Sequence, residues 1–159
     1  VLGRKRLVQV LEEGHEQGLL SDIQDRLVNG LLNTAQAPVD DFLMPAGQVL
    51  GLPETAGRDE VLAFAGRYGL AEVPLHRAGQ PGEWYGCLGV VSLALCEKPL
   101  NELVMRLPEM PSGTSRLEAL LALNEAGAPL GVVRGESAVV GLVTRRELTE
   151  QLVQRQVNP

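Results

Sequence analysis

The sequence predicts an α/β fold: two copies of one unit packed face to face about a pseudo-twofold axis, preceded by short N-terminal helices. Two observations carry this. A short apolar strand with a glycine three residues before a Ser or Thr occurs twice. It reads Gly-Cys-Leu-Gly-Val-Val-Ser at residues 86–92 and Ala-Val-Val-Gly-Leu-Val-Thr at residues 138–144. What precedes each strand repeats as well. Helical Arg58–Tyr68 runs through Gly69 into a strand at Val73–His76, and helical Arg116–Ala126 runs through Gly127 into a strand at Leu130–Arg134. Neither half is large enough to bury a core alone, whereas two halves packed together are. Such packing leaves a cleft between them, and clefts are where ligands sit.

The chain has 159 residues, room for one compact domain and an appendage. Apolar residues make up 45% and aromatics 3%, so the core is built from Leu, Val and Ala. Net charge is −6 with no basic stripe, which argues against nucleic-acid binding. Arg4-Lys5-Arg6 is the one tight basic cluster and reads as a solvated helix end. No apolar run reaches the roughly 18 residues that a membrane helix needs, and no signal peptide is visible. The start at Val1 suggests a fragment of a longer protein. Cys87 and Cys96 give neither a disulfide framework nor metal spacing, and Cys87 reads as a small core residue. His15 and His76 stand far apart with no ligand cluster, so no metal site is expected. The sequence has no evident nucleophile–base pair, and the expectation is a protein that is not an enzyme.

Taken in order, Leu7–Gly14 has helical period. Ser21 is an N-cap with Gln24 at the third position, opening a helix through Leu32 that Asn33–Pro38 ends. Val39–Pro45 reads as a helical turn closed by Pro45, Val49–Leu52 as a strand, and Pro53-Glu54-Thr55 as a turn. The Gly- and Pro-containing loop Ala78–Glu83 makes a hairpin, and Trp84 and Tyr85 pack where its second strand starts. Lys98–Leu107 links the halves, with Leu100, Leu103 and Val104 at helical spacing, and Pro108–Ser112 opens the second unit. The last helix, Thr144–Gln156, carries Leu148, Leu152 and Val153 on one face. Val90, Val91, Val132, Val133, Leu142 and Val143 are expected in core strands. Leu62, Ala65, Leu120, Leu121 and Leu123 cover more helix surface than one sheet face needs, which predicts a homodimer.

These residues resemble a tandem CBS-domain pair, or Bateman module. The match is to its β-α-β-β-α unit and to a Gly-x-x-Ser/Thr junction at Gly89–Ser92 and Gly141–Thr144. Leu11–Ser21 is similar to the Leu-x-Glu-Glu-Gly-x-x-x-Gly-x-Leu-Ser segment that leads into the pair in CorC/CNNM, hemolysin-C-like magnesium and cobalt transport proteins. Val39–Pro45 is similar to that family's Val-x-Asp-Val-Met-Thr-Pro. The resemblance divides the chain into a helical lead-in (1–37), a first CBS unit (38–97), and a linker with the second unit (98–159). It implies a regulatory module on the cytoplasmic side of the cell membrane, attached to a transmembrane domain and paired as a flat twofold disc.

The resemblance also implies an adenine nucleotide in the cleft, AMP or ATP, with Mg2+ only alongside ATP. Glu147 would take the ribose hydroxyls, while Thr144 and the helix N-terminus behind it would take phosphate. Leu70, Val73 and Pro74 would wall the adenine, and Arg145, with Arg146, would supply charge. The chain departs from the pattern at Ala46, where the family has Arg, and at Leu70 and Glu72, where it has Tyr and Arg. Leu95 stands at the first unit's ribose position, so no site using Ser92 is expected. AMP, with less charge to satisfy, is the expected nucleotide. The alternative is a structural or dimerisation module whose cleft binds no nucleotide.

Overall fold

The structure, a computed structural model, describes residues 35–150. The helices expected before residue 35 and the end of the last helix lie outside the described residues. Two four-stranded sheets dominate. The first runs β2 (Leu52–Pro53), β3 (Glu72–His76), β4 (Trp84–Gly89), β5 (Met105–Arg106). The second runs β1 (Met44–Pro45), β8 (Val139–Thr144), β7 (Leu130–Arg134), β6 (Glu109–Pro111). Each contains a parallel pair joined through a helix, α1 (Arg58–Tyr68) or α4 (Arg116–Ala126), followed by an antiparallel hairpin. Two short helices, α2 (Val90–Leu95) and α3 (Leu100–Leu103), join the halves, and residues 145–150 begin the last helix.

Local sequence explains the long helices. Ser115 accepts a hydrogen bond from the Glu118 amide at 3.2 Å and so caps α4. Gly69 and Gly127 end α1 and α4 in the left-handed conformation, with φ of 65° and 62°, which glycine adopts without a Cβ penalty.

Each sheet takes its last strand from the other half of the chain. β1, in the stretch of the first unit that leads in to α1, pairs with β8 of the second, Met44 opposite Leu142 and Pro45 opposite Gly141. β5, in the link, pairs with β4 of the first, Met105 opposite Cys87 and Arg106 opposite Gly86. The lead-in is fastened further: Val39 N donates to Thr114 O at 2.7 Å and Arg116 N to Ala37 O at 2.9 Å.

This pairing corrects the register of the repeat. Pro74 faces Cys87 and Leu75 faces Gly86, while Val132 faces Leu142 and Val133 faces Gly141. Gly86–Gly89 therefore matches Gly141–Thr144, three residues earlier than the motif Gly89–Ser92 suggests. Gly89 holds the place of Thr144, and Ser92 the place of Glu147. The reason is steric. A Cβ on Gly141 would lie 2.2 Å from Met44 O, and one on Gly86 would lie 2.9 Å from Val104 Cγ1, so each glycine admits the exchanged strand.

Three apolar clusters form the core. One lies under α1 (Val61, Ala65, Val73, Leu75, Leu88, Leu93) and one under α4 (Phe42, Ala119, Leu123, Val133, Val143, Leu148). The third holds Trp84, Cys87, Leu107, Leu130, Val132, Val139 and Leu142, and joins the two sheets. Val132, Val133, Leu142 and Val143 are buried as expected. Val90 and Val91 instead open α2, and Val91 is 70% exposed, because the strand stops at Gly89. The strand expected at Val49–Leu52 is confined to Leu52–Pro53. Val39–Phe42 is a 3-10 turn, as expected, but Met44 and Pro45 are extended. Ala65 and Leu123, expected on a partner-facing surface, are consumed by their own cores, while Leu62, Leu120 and Leu121 are half-buried.

Candidate functional site

Thr144 ends β8, opposite Leu130. Its Oγ1 accepts from the Glu147 amide at 3.0 Å, so it caps the last helix. Thr144-Arg145-Arg146-Glu147 thus works as the same Ser/Thr-x-x-Glu cap that Ser115 and Glu118 make on α4. The Glu147 carboxylate is exposed. The structure therefore brings Thr144 and Glu147 together at the start of the last helix.

The other expected residues diverge. Pro74 is buried opposite Cys87 on the face that meets the second sheet. Val73 is fully buried on the opposite face, within the cluster under α1, and Leu70 packs against the same cluster. Strand alternation makes the difference: Val73 and Pro74 are neighbours and so face opposite ways. Val73 does not offer its side chain to the inter-sheet side. Arg145 donates to Leu123 O at 3.2 Å and Ala128 O at 3.0 Å, closing the carboxyl end of α4, where a cation complements the exposed carbonyls. Arg146 is exposed and paired with Glu150 at 2.9 Å. In the first half, Gly89 brings no hydroxyl, and α2 has no side-chain cap.

Glu72 shares the inter-sheet face of β3 with Pro74. Burial, and secondarily the charge of Glu72, push the Cys87 thiol up to about 12. Cys87 is thus a protonated core residue, as its sequence context suggests. No group of three or more His, Cys, Asp or Glu among the described residues is arranged to hold a metal, and no described helix is long and apolar enough to cross a membrane.

Two clefts flank Trp84 at the hairpin ends of the sheets, and sequence reading missed both. One, of about 420 Å3, is lined by the lead-in residues Ala46, Gly47 and Val49 together with His76, Glu83 and Val139. Trp84 Nε1 donates to Ala46 O at 3.0 Å at its floor, and the His76 ring meets the indole edge-on. The other, of about 310 Å3, is lined by Arg77, Glu83, Tyr85, Arg106, Glu109 and Arg134 as well as Trp84. Its residues come from four separate segments, and no local motif announces it.

No protein-family model and no curated protein matches the sequence. Solved structures do match. The CBS domain of a bacterial CNNM/CorC family Mg2+ transporter in complex with ATP is 18% identical, with a TM-score of 0.71 over 82% of this chain and 96% of that one. The same kind of domain in complex with the inhibitor IGN95a is 17% identical, with a TM-score of 0.73 over 94% and 96%. A CBS-domain pair with bound AMP from Klebsiella pneumoniae is 18% identical, with a TM-score of 0.59 over 74% and 98%. With its two exchanged sheets and repeated helix–strand–hairpin units, this chain has the fold of a tandem CBS-domain pair.

Proposed function

We propose that the chain is the regulatory CBS pair of a CorC/CNNM-type magnesium or cobalt transport protein, and that an adenine nucleotide binds between its two units. The fold shared with a transporter CBS domain in complex with ATP carries this reading. The Thr144 cap supports it, because a helix N-terminus suits a phosphate and the neighbouring, exposed Glu147 suits a ribose. On this reading residues 38–97 and 98–159 are the two units, and 1–37 lead in from a membrane domain that places the pair on the cytoplasmic side. The module regulates rather than catalyses: nucleotide binding favours one arrangement of the units and biases the attached transport domain.

The contact set is Thr144, Glu147 and Pro74; Val73, Leu70 and Arg145 have structural positions elsewhere. With Arg145 engaged and Glu72 on the inter-sheet side, polyphosphate charge is poorly met, so AMP is the better ligand and Mg2+ arrives only on ATP. The pair dimerises through its helices, where half-buried Leu62, Leu120 and Leu121 and exposed Val91 and Leu95 await cover. Calorimetric titration with AMP, ADP and ATP, with and without Mg2+, tests the nucleotide. AMP should bind, and Glu147→Ala should weaken it by roughly ten- to a hundredfold. Glu72→Arg should improve ATP more than AMP.

A second reading has its own observation. Thr144-x-x-Glu147 is fully explained as a helix cap, like Ser115-x-x-Glu118, which supports a structural or dimerisation module. Absence of binding by all three nucleotides at millimolar concentration would select it.

A further inference from the structure

The described residues carry nine Lys or Arg side chains in a chain of net charge −6, yet three of them, Arg77, Arg106 and Arg134, line the single 310 Å3 cleft beside Trp84. Three guanidinium groups repel one another unless something anionic sits among them. Arg134 is satisfied from within, by Glu83 at 3.2 Å and Glu109 at 3.0 Å. Arg77 is positioned rather than neutralised: it stacks 3.8 Å from the centre of the Tyr85 ring, and its contact with Glu54 is a loose 3.4 Å across exposed side chains. The exposed guanidinium of Arg106 makes no hydrogen bond or ion pair with any described residue. Arg106 enters from the exchanged strand β5 and Arg77 follows β3, so the cleft exists only because the second half of the chain completes the first sheet.

We propose that this cleft binds the phosphoryl group of a small phosphorylated molecule, with Arg106 as the principal contact and Arg77 as the second. A guanidinium fork matches two phosphoryl oxygens, and two such forks match a dianion better than the single charge of a carboxylate. Arg134, held by two carboxylates, forms the wall and engages the charges of Glu83 and Glu109, which also line the cleft. The site is separate from Thr144 and Glu147 and does not rest on the nucleotide reading.

Trp84, the chain's single tryptophan, lines the cleft and reports on it. The test is a fluorescence titration with inorganic phosphate at neutral pH and constant ionic strength. The wild type should saturate with a half-point of about 1–10 mM. Arg106→Gln should weaken binding about tenfold or more, and Arg106→Lys, which keeps the charge and loses the fork, by less. Arg77→Gln should weaken it also, whereas Arg67→Gln, at an exposed arginine of α1 outside the cleft, should leave it unchanged. Acetate should bind more weakly than phosphate. A signal that fails to saturate by about 50 mM phosphate overturns the proposal. So does an Arg106→Gln protein, folded by its thermal transition, with the wild-type half-point, and so does equal weakening by Arg67→Gln.

Discussion

Arg116 donates from Nε to the carbonyl of Leu148 at 3.0 Å, and Arg58 makes the equivalent bond to the carbonyl of Leu93. Each arginine opens the first helix of its unit and reaches the same place in the unit's second helix. Arg58 also holds Cys96 O at 2.9 Å and Lys98 O at 2.6 Å. Arg116 is fully buried, with its guanidinium 4.2 Å from the centre of the Phe42 ring. It thereby ties α4, the last helix and the exchanged lead-in together.

The two arginines should differ in weight. Arg116→Ala removes a buried hydrogen bond, a ring contact and a large packed side chain, and should cost about 2–4 kcal/mol. Arg58→Ala, at a site partly open to water, should cost about 1–2 kcal/mol. Urea unfolding measures both, and equal losses would show that the Phe42 contact adds nothing.

The glycines make a graded prediction. Gly141→Ala sets a Cβ against backbone, the Met44 carbonyl, and should destabilise by about 2–3 kcal/mol. Gly86→Ala meets the Val104 methyl first, at 2.9 Å, and should cost about 1–2 kcal/mol. Gly66 lies in α1 with nothing near its Cβ position. Gly66→Ala should therefore stabilise by about 0.5–1 kcal/mol. Thermal or urea midpoints of the three variants check the order.

Asp40 joins the lead-in to the second half. Its carboxylate accepts from the Ser112 hydroxyl and from the Gly113 amide at 2.7 Å. The Ser112 bond, followed by the Gly113 bond, lowers its pKa despite partial burial. A lowered native pKa stabilises fully above the unfolded value, and that stability is lost as pH falls through the native one. Asp40→Asn should cost about 1 kcal/mol at neutral pH. The difference from wild type should vanish below the carboxylate range. A gap that persists in acid would mean that charge is not what Asp40 contributes.

Cysteine labelling separates core from surface. With the Cys87 thiol pushed up to about 12 and buried, the native protein should alkylate at half-buried Cys96 first. Mass mapping after brief iodoacetamide treatment at about pH 8 should find Cys87 unmodified, and urea should expose it. Prompt native labelling of Cys87 would contradict the sealed inter-sheet core.

The sequence by itself determined the repeat, the α/β class, both long helices with their glycine stops, both hairpins, and the resemblance to a CBS pair. Those features are written in local patterns: Ser115 with Glu118, Gly69 and Gly127, and apolar runs such as Leu130–Arg134. Only the tertiary structure decided the register: the Gly-x-x-Ser/Thr pattern points to Gly89–Ser92, whereas contact with Val104 and Met105, far along the chain, selects Gly86. It alone decided the strand exchange, since two-residue strands such as Met44–Pro45 and Met105–Arg106 exist only through their partners. It likewise carried Arg145 to the end of α4. It also gathered Arg77, Arg106 and Arg134 around one cleft. Each of these outcomes depends on groups distant in sequence, and no local periodicity encodes such contacts.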